Sequence, residues 1–521
     1  MADRPDPVIR VAGTASAGLV AAITLGALAA VALRADGPPS LSPSDWAAIR
    51  FTLIQATLSA LISTGLAIPV ARALARRRFA GRDAIVTLLG APFLLPVIVA
   101  MLGLLAVFGR GGLISQALAP TGLGPIHIYG LHGVVLAHVF FNLPLATRLI
   151  LQGWTAIPAE RFRLAASLGF SPTDTYHRLE TPMLRETLPG AFLLIFLICT
   201  TSFAVVLALG GGPGGTTVEL AIYQAFRFEF DLFKAALLAL IQVAICATAA
   251  LLVWRATVPA GFGAGHDRPV ERWGIGHPGL RVLDAAVITL AALFLLTPMA
   301  MVAARGLPGL PQISADILLA ALRSFAVAFA AAAISVTLAL SMALLATTER
   351  RLLAAPVALL AQLSIAISPL VIGTGLFIML YPVADPMALA LPLTAIVNAV
   401  MSLPFVYRIL QNAASDTLAV SGRLSASLGL SGWARLRVVL LPRLVRPLGF
   451  AAGLSAALSM GDLGVIVLFA APDAPTLPMQ MYRLMAAYQM DQAAAAALVL
   501  LVGTLALFWV FDAWGRARAA T

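Results

Sequence analysis

Arg163-Leu164-Ala165-Ala166-Ser167-Leu168-Gly169 recurs as Arg423-Leu424-Ser425-Ala426-Ser427-Leu428-Gly429. The two stretches lie 260 residues apart (429 − 169), about half of a 521-residue chain. At the same offset Leu143-Pro144 pairs with Leu403-Pro404, Arg148 with Arg408, Ser171 with Ser431, Pro182 with Pro442 and Leu184 with Leu444. A match held at one register over so many positions marks a unit written twice.

Composition says where that unit lives. The chain is 60% hydrophobic and 11% charged, far less charge than a soluble domain carries. Apolar runs of about 20 residues recur along its length, the signature of a polytopic membrane protein. The net charge of +11 comes mostly from arginine. The arginines gather at the ends of apolar runs, where they address lipid headgroups and set topology rather than bind nucleic acid. Cys199 and Cys246 fall inside apolar runs and read as packing residues, with no disulfide or metal set implied.

Six spans are expected near 11–33, 51–73, 84–108, 131–151, 191–209 and 235–254, and six more near 281–304, 320–346, 353–381, 388–410, 448–470 and 492–512. The fold class is thus all-α integral membrane, twelve transmembrane helices in two homologous six-helix halves. The first half covers 1–255 (core about 50–255) and the second 280–521 (core about 315–512), joined by a Gly/Pro-rich connector at 256–279. Arg72, Arg76, Arg77, Arg78 and Arg82, the pair Arg350-Arg351, and Arg516 with Arg518 mark cytoplasmic ends. Alternation of the spans then places both termini, the connector and both repeated segments inside, and 109–128, 210–232, 305–318 and 471–490 outside.

Each repeated segment reads as helix, glycine break, helix. A glycine after the last helical residue adopts the left-handed conformation that closes a helix. Pro158 and Glu160 suit the first turn of the upstream helix, and Ser415-Asp416 are its expected cap in the second copy. Ser171-Pro172-Thr173-Asp174 reads as a fresh capping box. A short helix held between two rigid neighbours at the membrane surface transmits force if a partner grips it.

This pattern resembles the cytoplasmic loop of the inner-membrane permeases of bacterial ABC importers, where a Glu-Ala-Ala run, a glycine and a later proline mark the coupling helix. Gly169 and Gly429 match the motif's glycine, Ala165 and Ser425 its second alanine, and Pro182 and Pro442 its proline. The chain departs from the family at the glutamate, replaced by Arg163 and Arg423, and at the first alanine, replaced by Leu164 and Leu424. Three stretches look particularly like the thiamine-type permeases: Arg163 to Gly169, Leu209 to Gln224, and Ser459 to Val465 running on to Thr476-Leu-Pro. The resemblance implies the type I importer permease fold in a bacterial inner membrane. It implies two ATP-binding cassette ATPase subunits as partners, a periplasmic substrate-binding protein, and thiamine or thiamine pyrophosphate as the small-molecule substrate. ATP would be bound by the ATPase partner, and no cofactor by this chain.

Polar residues at membrane depth are functional candidates by default. Asp462 is expected within the fifth span of the second half, with Ser202 as its counterpart 260 residues earlier, and the two are read as facing a translocation path. His138 and Asn142 are also polar at depth, and His138 is expected to bond between helices rather than relay protons. Thr217 to Tyr223 and Thr476 to Tyr482 share a Thr-x5-Tyr spacing and read as short outer-face helices, with Glu219, Tyr223 and Tyr482 as contacts for the binding protein. No Gly-x4-Gly-Lys-Ser/Thr loop and no nucleophile–base pair is present, so the chain is expected to be a transport subunit without its own ATPase site. The resemblance leaves open an iron(III) cargo, since fused permeases of this size also look like iron(III) importers, and the residues leave open a gradient-driven twelve-span carrier, which also has doubled halves.

Overall fold

The computed structural model describes residues 7–35, 41–89, 94–122, 124–256, 278–348, 353–430, 432–469 and 474–520. Most of the connector and Arg350-Arg351 lie outside them. The first half contains α1 (Pro7–Arg34), α2 (Pro43–Arg76), α3 (Arg82–Leu88), α4 (Val97–Phe108), α5 (Leu113–Leu118), α6 (Leu131–Ala156), α7 (Ala159–Ser167), α8 (Pro172–Thr175), α9 (Thr181–Thr200), α10 (Ala204–Leu209), α11 (Val218–Gln224) and α12 (Leu232–Ala256). The second contains α13 (Pro278–Gly306), α14 (Ala315–Thr348), α15 (Ala354–Ala366), α16 (Pro369–Leu380), α17 (Ala390–Ser427), α18 (Gly432–Arg435), α19 (Leu441–Met460), α20 (Gly464–Phe469), α21 (Leu477–Ala486) and α22 (Met490–Ala520).

Among the described residues eleven helices are long and apolar enough to cross a membrane, twelve if the bent pair α15–α16 counts as one span. In the third span of each half the helix restarts at a proline. Pro96 precedes α4 and Pro369 opens α16, and α15 meets α16 at 95°. A proline lacks the amide that would continue the preceding helix and turns the residue before it extended.

The offset between halves is not constant. Helices α2 and α14 begin 272 residues apart (315 − 43), whereas α9 and α19 begin 260 apart (441 − 181). The twelve additional residues of the first half lie between α4 and α6, where α5 has no counterpart.

The first helix of each half packs against the other half. Helix α1 lies on α14 and α16, and α13 on α2 and α4. The same residues make both crossings. The seventh residues of α4 and α16, Gly103 and Gly375, meet the twenty-first residues of α13 and α1, Pro298 and Ala27. A Cβ on either glycine would collide with the facing backbone, the close approach by which membrane helices gain packing energy.

One exchanged contact is ionic. Asp284 on α13 is 3% exposed and takes Arg76 Nη2 and Arg77 Nε at the end of α2, each at 2.6 Å. Its counterpart on α1 is Gly13. Asp284→Asn removes a buried carboxylate that two arginines share, a loss of about 3 kcal/mol. A fall of several degrees in the melting midpoint of the detergent-solubilised protein is expected; an unchanged midpoint would show the clamp to be idle.

At the opposite end of α2, Lys234 Nζ lies 3.5 Å from Asp45 and 3.1 Å from Glu229. There too Arg305 donates to the Gly111 carbonyl at 3.2 Å, and the Gly130 amide to the Leu209 carbonyl at 2.8 Å. Three of the segments expected on one side, 109–128, 210–232 and 305–318, thus gather at one end of the bundle, and the arginine cluster of α2 stands at the other.

Candidate coupling and translocation sites

Both glycines end their helices as expected. Gly169 has φ +68° and Gly429 φ +65°. The next amides reach back over the last turn, Phe170 to the Ala165 carbonyl at 2.9 Å and Leu430 to the Ser425 carbonyl at 3.0 Å. Ser171 and Asp174 form the capping box of α8, the Asp174 amide donating to Ser171 Oγ at 3.1 Å and the Ser171 amide to Asp174 Oδ2 at 3.1 Å. Ser431 lies outside the described residues.

Both segments then pass through a π turn, Tyr176–Glu180 and Leu436–Leu440, before α9 and α19. In each, the amide just ahead of the helix proline (Thr181 or Leu441) donates to the carbonyl five residues back. Pro182 and Pro442 cannot donate, and their rings crowd the carbonyl four residues earlier, so the helix opens there.

The expected cap at Ser415-Asp416 does not exist. Helix α17 runs unbroken through it to Ser427, 38 residues in all. In the first half the extended Ile157 and the following Pro158 separate α6 from α7. Leu418 stands where Pro158 does, and a leucine gives the helix no reason to stop.

The helices show their partner-facing sides. Ala165 and Ser425, carried by the motif, are buried against the chain itself, as is Phe162. What faces outward is Leu164 (59% exposed) and Leu168 (61%), matched by Leu424 (61%) and Leu428 (66%). Arg163 is exposed beside them, and Pro182 and Pro442 are exposed at the starts of α9 and α19; the side chain of Arg423 lies outside the described residues. The four leucines were legible as a spacing of four, which puts a pair on one helix face, but the motif drew attention to its alanine instead.

Asp462 is not inside a helix. Helix α19 stops at Met460 and α20 starts at Gly464. Asp462 lies in the break and caps α20, Oδ1 accepting from the Gly464 amide at 3.1 Å and Oδ2 from Val465 at 3.3 Å. Ser202 occupies the equivalent break between α9 and α10. The two breaks meet: a Cβ on Gly464 would stand 3.6 Å from Asp462 Oδ1 and 3.9 Å from Phe203 Cδ1. Asp462 and Ser202 are both partly exposed, while their neighbours Leu463 and Phe203 are buried. Tyr223 packs edge-on against Phe203 with centroids 5.3 Å apart, and its phenol lies near that of Tyr482. The structure therefore gathers Ser202, Asp462, Tyr223 and Tyr482, two residues from each half.

Glu219 departs from its expected place. It is fully buried, beside Ser368 at the start of α16, and offers no surface to a partner. The reason is the docking of its helix, which the sequence does not show. Thr52 on α2 accepts from the Val218 amide at 2.9 Å, and the equivalent Ser324 on α14 accepts from the Leu477 amide at 2.8 Å. These bonds pull α11 and α21 into the bundle.

His138 bonds between helices as expected, Nδ1 to Ser59 Oγ at 3.3 Å, and Asn142 does so too, Nδ2 to the Cys199 sulfur at 3.3 Å. Their counterparts Asn398 and Ser402 do likewise, Asn398 to Ser459 at 3.0 Å and Ser402 to Ser335 at 3.0 Å. Cys199 and Cys246 are free and buried.

No protein-family model matches the chain. Individual proteins do. The thiamine transport system permease protein ThiP of Escherichia coli (strain K12) is 38% identical over 531 residues, covering 98% of each protein. The ThiP protein of Brucella abortus (strain 2308) is 37% identical over 522 residues, 98% of this chain and 96% of that one. The molybdenum transport system permease protein ModB of Azotobacter vinelandii is 32% identical over 182 residues, which is 35% of this chain but 80% of its own. A bundle with exchanged first helices, paired broken spans and two glycine-ended surface helices, aligned with such proteins, is a type I ABC-importer permease with its halves fused. Within that class, the chain belongs to the ThiP family of thiamine transport system permeases.

Proposed function

We propose that this chain is the membrane-spanning subunit of an ATP-driven importer that carries thiamine, free or as its pyrophosphate, inward across the bacterial inner membrane. The observation that carries this reading is the near full-length match to thiamine transport permeases. It is joined by two matching helices that each expose a pair of leucines at the arginine-rich end of the bundle. On this reading each leucine pair fills a groove of one ATPase subunit, so one chain binds two. ATP is bound and hydrolysed on those subunits. Both termini face the cytoplasm with the arginine clusters, and the opposite end receives a periplasmic binding protein, with Tyr223 and Tyr482 beneath it.

The facing breaks supply the cargo path. Thiamine carries a positive thiazolium ring. The Asp462 carboxylate accepts the cap amides of Gly464 and Val465 and, partly exposed in the break, can turn its charge toward a cation. Tyr223 and Tyr482 offer aromatic faces to the same charge.

The test is reconstitution. Proteoliposomes holding this chain with its ATPase and thiamine-binding protein should accumulate labelled thiamine only with ATP inside the cytoplasmic compartment. Accumulation by the lone chain from an ion gradient would overturn the proposal.

A further inference from the structure

The two coupling segments share a fold but not an anchor. In the first half α7 is cut from α6 at Pro158, so continuity with a span does not set its angle. The far end of the segment is held instead by α2. Arg72 Nε donates to Glu180 Oε2 at 2.8 Å, and the Arg72 guanidinium lies 4.8 Å from the centroid of the Tyr176 ring. Tyr176 and Glu180 are the first and last residues of the π turn that leads into α9, and Glu180 is buried.

In the second half the three equivalent positions are all leucine. Leu344 lies 272 residues after Arg72, the offset of α2 and α14. Leu436 and Leu440 lie 260 after Tyr176 and Glu180 and bound the second π turn. All three share one apolar cluster with Ala414 and Leu444. There the coupling segment is the end of the unbroken α17, so the rod itself sets the angle. The ionic and aromatic seat thus accompanies the broken helix, and the leucine contact accompanies the continuous one. An apolar contact has no preferred direction, whereas a charged hydrogen bond does; only the detached helix needs the latter.

We propose that Arg72, Tyr176 and Glu180 are positioning residues that set the angle of the first coupling helix, and that the two halves therefore couple unequally, through one hinged and one rigid element. That these segments couple to an ATPase rests on the function proposed above; the seat itself does not.

Spin labels at Leu168→Cys and, separately, at Leu428→Cys in the full-length chain in liposomes test it, since both sites are exposed and the native cysteines are buried. Glu180→Leu should increase label mobility at 168 and leave 428 unchanged. With ATPase and binding protein added, the unlabelled Glu180→Leu chain, which keeps Leu168 and Leu428, should lose about tenfold in uptake, the worth of one charge-assisted hydrogen bond. Adding Arg72→Leu, Tyr176→Leu and Pro158→Leu rebuilds the second half's arrangement and should restore order at 168 and uptake. Unchanged mobility at 168, equal loosening at 428, or no restoration in the fourfold variant each overturns the proposal. Absence of ATP-dependent uptake in the unsubstituted chain would instead remove the importer reading, while the labels still decide the seat.

Discussion

Leu164→Asp with Leu168→Asp should yield a folded, membrane-inserted permease that no longer retains its ATPase and moves thiamine at less than about one-hundredth of the normal rate. Both leucines are more than half exposed, so their replacement disturbs little packing within the chain. Burying each in a partner's groove is worth about 1.5–3 kcal/mol. Losing two, and placing carboxylates in an apolar groove, exceeds the roughly 3 kcal/mol that corresponds to a hundredfold. Co-purification of the ATPase with the variant is the direct measurement, and uptake the second. The pair Leu424→Asp with Leu428→Asp should have the same effect, because one chain must hold two subunits at once for the cycle to close. Undiminished co-purification with both pairs replaced would show that the leucines are ordinary surface residues and that docking lies elsewhere on the cytoplasmic face.

The second large effect belongs to Asp462. Asn is nearly the same shape and is itself a good helix cap, so Asp462→Asn keeps one acceptor oxygen for the cap amides of Gly464 and Val465 while removing the charge. If the carboxylate meets the thiazolium ring, uptake should fall about 10- to 100-fold, the value of a charge-assisted contact, with ATPase association unchanged. Asp462→Ala removes charge and cap together and adds a loss of about 1 kcal/mol in stability. The comparison separates the two roles of this side chain. Normal uptake by the Asn variant with impairment only in the Ala variant would leave Asp462 a cap and nothing more.

Much of this molecule was readable in one dimension. The register of Arg163–Gly169 against Arg423–Gly429 declares a doubled chain, because a duplicated fold keeps its helix stops and prolines where the backbone needs them. The left-handed glycines, the Ser171–Asp174 box and the apolar runs are local features. Local features are set by residues a turn or two apart, so the sequence determines them alone: a membrane protein in two halves, each with a glycine-ended helix on its surface.

What only the tertiary structure decided are the contacts between residues far apart in the chain. That α1 and α13 change places, crossing at Gly375 and Gly103, follows from which helix faces fit at close range. That Glu219 is hidden follows from a hydroxyl on α2 reaching the α11 backbone 166 residues away. The expected cap at Ser415-Asp416 failed because a cap acts only where something else ends the helix, and Leu418 does not. Asp462 was placed inside a span because hydropathy averages over a window and cannot see a three-residue break. The seat of Arg72 on Glu180 is 108 residues long in sequence and 2.8 Å in space. Helix ends obey nearby chemistry; the pairing of distant surfaces depends on shape and charge that meet only once the chain has folded.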